Sequence, residues 1–246
     1  MIVDMHCHIL PGVDDGAVSM EDALEMAQLA LDCGITHIVA TPHYNYSSCA
    51  SMSEIRDAYL EFLDALEYEQ LPLHVQLGME ILASDDLPQR LQEKKVWTYP
   101  GSHYFLVEFL PKETPLYMDQ LLAKCKAAGF TPVIAHPERY YAVREDPRLV
   151  KRWNELGYGV QINRDSLLGL FGDYTAQCAQ YLLQRRWANC IASDAHNTAR
   201  RSTFWKPAFD LFREEFDPKK IERCLEITPD RILKDQPLTE KYDPSH

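Results

Sequence analysis

The residues of this chain with most to offer chemically are imidazoles and carboxylates, and they recur in short clusters. His6 and His8 flank a cysteine in 1-MIVDMHCHILPGVDDGA-17, His43 sits in 40-ATPHY-44, His136 opens 136-HPERY-140, and Asp194 and His196 lie in 193-SDAHN-197. A single H-x-H carries little information in a chain with nine histidines. Three carboxylates sit in comparable places: Asp14 between the glycines of the first turn, Glu80 at the end of 74-HVQLGME-80, and Glu108 inside 104-YFLVEF-109. A carboxylate in an apolar run is costly to bury alone, so Glu108 calls for a metal or a cationic partner. Imidazole with carboxylate and no thiolate suits divalent ions such as Mn, Fe and Zn. Nine candidate ligands are too many for one ion and point to two or three, bridged by carboxylates. Such a cluster acts as a Lewis acid, generates hydroxide near neutral pH and can clamp the oxygens of a transferring phosphoryl group. Metal-assisted hydrolysis by direct attack, without a covalent intermediate, is the chemistry expected.

These residues need a scaffold, and the hydrophobic pattern supplies one. Seven apolar, often β-branched runs read as buried parallel strands: 2–6, 37–41, 74–80, 104–109, 131–136, 159–163 and 189–193. Segments of helical period lie between and after them, at 19–34, 51–69, 84–95, 114–129, 146–157, 173–186, 203–216 and 218–226. Ser19 and Thr114 are expected N-caps, with Pro115 at the first helical position. Strand–helix alternation means parallel strands with helical crossovers. Seven such units predict an α/β fold, a closed or nearly closed TIM-like (β/α)7 barrel forming one domain over 1–246. Barrel chemistry sits at the C-terminal ends of strands, and that is where His6, His8, His43, His136 and His196 fall, with Glu80, Glu108, Asp194 and Asp14. His37, His74 and His103 fall at strand starts and His246 in the tail, so these four are expected to be structural or incidental. Cys7 should point away from its flanking histidines and is not expected to be a ligand.

The totals exclude several classes. Net charge is −12 with a pI of about 5.2, whereas a nucleic-acid surface needs a basic face. The seven scattered cysteines form no C-x-x-C pair and read as free thiols of a reducing compartment. No run approaches the roughly 18 apolar residues of a membrane span, and no leader is expected before Ile2, so the expected location is the cytoplasm.

The set His6-x-His8, Asp14, His43, Glu80, Glu108, His136 and Asp194-x-His196 resembles the motifs of the PHP (polymerase and histidinol phosphatase) superfamily. Within it, HILPGVDDGA (8–17), ATPHY, HPERY and SDAHN look like the bacterial CpsB/YwqE-type protein-tyrosine phosphatases, over about residues 1–235. The resemblance implies a distorted seven-stranded barrel holding up to three divalent ions, with Mn favoured and Fe, Zn or Mg as alternatives. It implies one ion on His6, His8, Glu80 and Asp194, a second on Glu80, Glu108 and His136, and a third on Asp14, His43 and His196. It also implies phosphate-gripping arginines, Arg139 and Arg201, with adjacent Arg200 competing for the second role. The implied partner is a phosphotyrosine protein, a bacterial tyrosine autokinase controlling capsule or exopolysaccharide synthesis. Among the mouth aromatics Tyr44, Tyr46, Tyr104, Phe109, Tyr140, Tyr141 and Phe171, Tyr140 or Tyr141 could stack on a phosphotyrosine ring.

Rival chemistries are weaker. A cysteine-nucleophile phosphatase needs Cys-x5-Arg, but the positions six after the cysteines hold Val13, Val39, Ile55, Thr131, Gln184, His196 and Asp230. No G-x-S-x-G elbow of a serine hydrolase occurs. Histidinol-phosphate phosphatase shares the metal motifs and stays open, as does a regulatory kinase-binding protein with a relic metal site. A phosphodiesterase or nuclease fits the acidic charge poorly.

Overall fold

The structure is a computed structural model that describes residues 1–44 and 50–238. Tyr46, Cys49 and His246 lie outside the described residues. The strands are β1 (Val3–Cys7), β2 (His37–Ala40), β3 (His43–Tyr44), β4 (His74–Leu77), β5 (Glu80–Leu82), β6 (Tyr104–Glu108), β7 (Thr131–Ala135), β8 (Gly159–Asn163) and β9 (Cys190–Ala192). All pairings are parallel and form two sheets, in the orders β1-β2-β4 and β3-β5-β6-β7-β8-β9. This is the expected α/β alternation, with nine strands among the described residues in place of seven.

The difference lies in the runs 37–41 and 74–80, each of which breaks into two short strands. Pro42 has no N–H to donate, so the ladder cannot run through it. Gly78 brings backbone against β2, where a Cβ would stand 3.0 Å from Val39 Cγ1. Past these points the chain continues in the second sheet, with His43 paired to Glu80. Among the described residues no continuous ladder closes a barrel. The β1–β9 side is joined by a single bridge, Cys7 to Ala195, with Asp194 N donating to His6 O (2.8 Å) and His8 N to Ala195 O (2.9 Å).

Helices cover the sheets, and local sequence sets their ends. Ser19 Oγ accepts from Asp22 N at the start of Met20–Asp32, and Ser51 and Glu54 form a reciprocal capping box at Met52–Tyr68. Thr114 caps Pro115–Ala127. The segment expected at 218–226 is a short helix, Pro218–Glu222, followed by a π-helical turn at Arg223–Ile227 and a further helix, Thr228–Leu233. Buried Ala23, Met26, Ala27 and Ala30 from the first helix and Ile55, Phe62 and Leu66 from the second join Ile38, Ala40, Ile81 and Val107 in the main core. Among the described residues no helix is long and apolar enough to cross a membrane.

Candidate metal centre

Eight of the nine expected ligands converge with Asp15, an added member, in three donor groups or on their edge. His6, His8, Glu80 and Asp194 form one group, His43, Glu80 and Glu108 a second, and His8, Asp15, His43 and His196 a third. In the first, His6 Nε2 and His8 Nε2 lie 3.1 and 3.2 Å from Glu80 Oε2, and 3.4 and 3.5 Å from Asp194 Oδ1. His136 Nε2 stands at the second, 3.0 Å from Glu80 Oε1 and 3.6 Å from Glu108 Oε1. Glu80 therefore spans the centre, since its Oε2 also lies 3.0 Å from His43 Nδ1.

Asp14 stands elsewhere. Its Oδ2 lies 2.7 Å from His8 Nδ1 and accepts from His43 N (2.9 Å), while Oδ1 accepts from Gly16 N (2.9 Å). Both oxygens are thus engaged behind His8, on the side away from the donor group. The neighbouring carboxylate occupies the position expected of Asp14: Asp15 Oδ1 is 3.4 Å from both His43 Nε2 and His196 Nε2. Sequence reasoning passed over Asp15, although in a D-D-G turn the two carboxylates necessarily leave the backbone in different directions.

The backbone around the centre is under constraint. His136 (φ 30°) and Asp194 (φ 50°) adopt left-handed conformations that cost a non-glycine residue free energy and concentrate at functional sites. Gly12 (φ 69°) has the conformational freedom its turn requires. Gly16 is needed for space, because a Cβ there would stand 2.1 Å from His8 O and 2.6 Å from His8 Cβ. Since the obstruction is largely backbone, Gly16→Ala must push the Asp14–Asp15 turn off His8. We expect it to lose metal and to destabilise the protein by at least the roughly 1–3 kcal/mol of an overpacked core. Elemental analysis and thermal unfolding with and without added metal check this; wild-type values in both would refute it.

The electrostatics match a site built for cations. Burial pushes the Glu80 carboxyl up, but His6, His43 and His136 outweigh it and hold it well below the usual range. Asp194 follows the same logic, with His6, His8 and Arg201 overcoming burial. Hydrogen bonding to His196 holds Asp15 down at about 2. Burial, seconded by Arg139, pulls His136 down to about 4, so its imidazole is neutral and able to ligate at physiological pH. Glu80 Oε2 faces three imidazole nitrogens within 3.2 Å yet forms a well-directed hydrogen bond with none among the described residues. Imidazole nitrogens crowded round a carboxylate oxygen that has no hydrogen-bond partner among the described residues offer the N and O lone pairs that a divalent ion takes, so the residues fit such a group.

Two arginines close the cluster. Arg201 Nη2 lies 2.8 Å and Arg139 Nη1 3.3 Å from Asp194 Oδ2. Arg201 is delivered by a tight loop in which His196 N and Asn197 N both donate to its carbonyl and Asn197 Oδ1 accepts from its N–H. Arg139 lies over the Phe171 ring at 5.2 Å. Arg200 is exposed.

The expected mouth aromatics fall in different places. Tyr140 is 1% exposed, and its hydroxyl donates to Ala135 O (2.7 Å) and accepts from Phe109 N (3.0 Å), so it supports His136 from within the core. Phe109 is equally buried, and Tyr104 bonds Gln236 at the far end of its strand. Tyr141 is exposed and packs on Arg144. Cys7 is fully buried, with burial pushing its thiol well up. A residue not singled out beforehand is Glu138, fully buried in HPER, whose carboxyl burial pushes up to about 7.

Residues 2–234 match the family described as capsular polysaccharide synthesis, CpsB/CapC. The chain belongs to the CpsB/CapC family. It is 36% identical over 238 residues to tyrosine-protein phosphatase YwqE of Bacillus subtilis, covering 96% of this chain and 93% of that one. A chain from crystal structures of YwqE from Bacillus subtilis and CpsB from Streptococcus pneumoniae, described as unique metal-dependent tyrosine phosphatases, superposes with a TM-score of 0.87 at 34% identity. That match covers 96% of this chain and 95% of the other. Histidinol phosphate phosphatase of Lactococcus lactis is a distant neighbour at 14% identity and a TM-score of 0.52, covering 88% and 94%; it shares the fold.

Proposed function

We propose that this CpsB/CapC protein is a metal-dependent protein-tyrosine phosphatase holding two or three divalent ions, Mn foremost. The observation that carries this reading is the convergence of three donor groups with two arginines on Asp194. His6, His8, Glu80 and Asp194 would hold one ion. Glu80 and Glu108, with His136 or His43, would hold a second, and Asp15, His43 and His196 the third. Asp14 is then an orienting residue that fixes His8. When bound, the ions supply Lewis acidity and bring the pKa of water toward neutrality.

The chain's own residues do the rest. Arg139 and Arg201 present guanidinium donors beside the cluster, part-exposed and placed to hold phosphate oxygens. Phe171, beside Arg139, offers an aromatic edge to a phenyl ester. All five buried cysteines that are described lie within the fold, consistent with a route that uses no thiolate. The natural substrate is then a phosphotyrosine protein such as a tyrosine autokinase of capsule or exopolysaccharide synthesis, in the cytoplasm.

Arg139→Ala and Arg201→Ala should each lower aryl-phosphate turnover by about 10²–10³-fold, the cost of one preorganised donor, with metal content unchanged. Arg200→Ala should stay near wild type. Wild-type turnover in both of the first two variants would remove the arginines from the mechanism. The function itself is tested by a panel of phosphotyrosine peptide, phosphoserine peptide and histidinol phosphate on protein of measured metal content. Preference for phosphotyrosine supports the reading; preference for histidinol phosphate overturns it.

A further inference from the structure

Strand β8 carries two polar residues in an otherwise apolar run, 159-GVQIN-163. Gln161 and Asn163 are two apart, so they share one face of the strand. Both are fully buried. Gln161 Oε1 is 2.9 Å from His6 Nδ1, Gln161 Nε2 donates to Asn163 Oδ1 (2.8 Å), and Asn163 Nδ2 donates to Asp194 Oδ2 (2.6 Å). The two amides thus form a bridge between two residues of the same donor group.

The direction of this bridge is fixed at its acidic end. Ionised Asp194 can only accept, so Asn163 must present its NH2 to it and its oxygen to Gln161. Gln161 must then turn its own NH2 to Asn163 and its oxygen to His6. A second donor agrees with this orientation, since the backbone N–H of His136 also points at Gln161 Oε1, at 3.4 Å. His6 Nδ1 must therefore carry a proton, so in the neutral imidazole that ligates a metal the lone pair lies on Nε2, the nitrogen facing Glu80 and Asp194. Asn163 is itself held from behind, its N–H donating to Glu138 Oε1 (2.8 Å), which also accepts from Ser166 Oγ (2.7 Å).

We propose that Gln161 and Asn163 are positioning residues that set the tautomer of His6 and lock its ring and the Asp194 carboxylate into one geometry. Neither amide belongs to a donor group; each acts through a residue that does. The inference rests on the reading that His6 and Asp194 hold an ion, and it adds the element that aims them. Outer partners of this kind are worth roughly 10–100-fold in metal affinity.

The test has two parts. In zinc-loaded wild-type protein, which is diamagnetic, ring 15N–1H correlations of His6 should place its proton on Nδ1 and the metal on Nε2; the reverse assignment overturns the proposal whatever any variant does. Gln161→Leu should weaken binding of Mn by about 10–100-fold, measured by calorimetry. Gln161→Glu, which still accepts from His6 Nδ1, should bind more tightly than Gln161→Leu. Wild-type affinity in Gln161→Leu, or equal affinity in the two variants, contradicts the assignment. If wild-type protein binds no ion, the metal-centre reading has failed; if it binds one with His6 in the other tautomer, only this inference has.

Discussion

Glu80→Gln should abolish phosphatase activity and remove more than one ion at a time. Glu80 belongs to two of the three donor groups, and its two oxygens approach four imidazoles: His136 through Oε1, and His6, His8 and His43 through Oε2. The amide keeps the shape of the side chain but loses its charge and one of its acceptor atoms. The imidazoles of His6 and His8, their Nε2 atoms only 3.1 Å apart, then keep only the more distant Asp194 Oδ1, at 3.4 and 3.5 Å, as an anionic neighbour. The loss should exceed the roughly 10–100-fold typical of removing an outer partner of a ligand. Metal per chain, measured by elemental analysis, should fall together with turnover. A variant that retained its full complement of ions would show that Glu80 does not bridge.

The second large effect separates two adjacent carboxylates. Asp15→Asn should eliminate one ion, because Asp15 is the sole carboxylate in the group with His8, His43 and His196. Asp14→Asn should instead retain all ions with affinity lowered about 10–100-fold, since Asp14 only orients His8 and braces the turn through Gly16 N and His43 N. Stoichiometry against affinity for the pair distinguishes the roles. If Asp14→Asn lost an ion and Asp15→Asn lost none, the assignment would be inverted.

Much of this centre was legible in the sequence because the relevant signal is positional. His6 lies next to the last residue of β1, His8, His136, Asp194 and His196 follow strand ends that hydrophobic runs announce, and Glu108 ends a strand that should carry no charge. Three features were not legible, each for a physical reason. Which aspartate of Asp14–Asp15 faces the ions depends on the turn enforced by Gly12 and Gly16, not on residue type. The splitting of two strands depends on Pro42 and on the close approach of Gly78 to β2, so both runs read as single strands. Tyr140 resembled a mouth aromatic because it follows HPER, yet its hydroxyl closes hydrogen bonds to Ala135 and Phe109 inside the core. Gln161 and Asn163 did leave a trace, two amides in an apolar strand, but their meaning appears only when β8 is set between His6 and Asp194.

The most direct measurement is turnover of a phosphotyrosine peptide as metal is withdrawn by chelator and restored. Activity should vanish as the ions leave and return in proportion to Mn added, with two or three ions per chain at full recovery. Undiminished hydrolysis by metal-free protein would contradict the account.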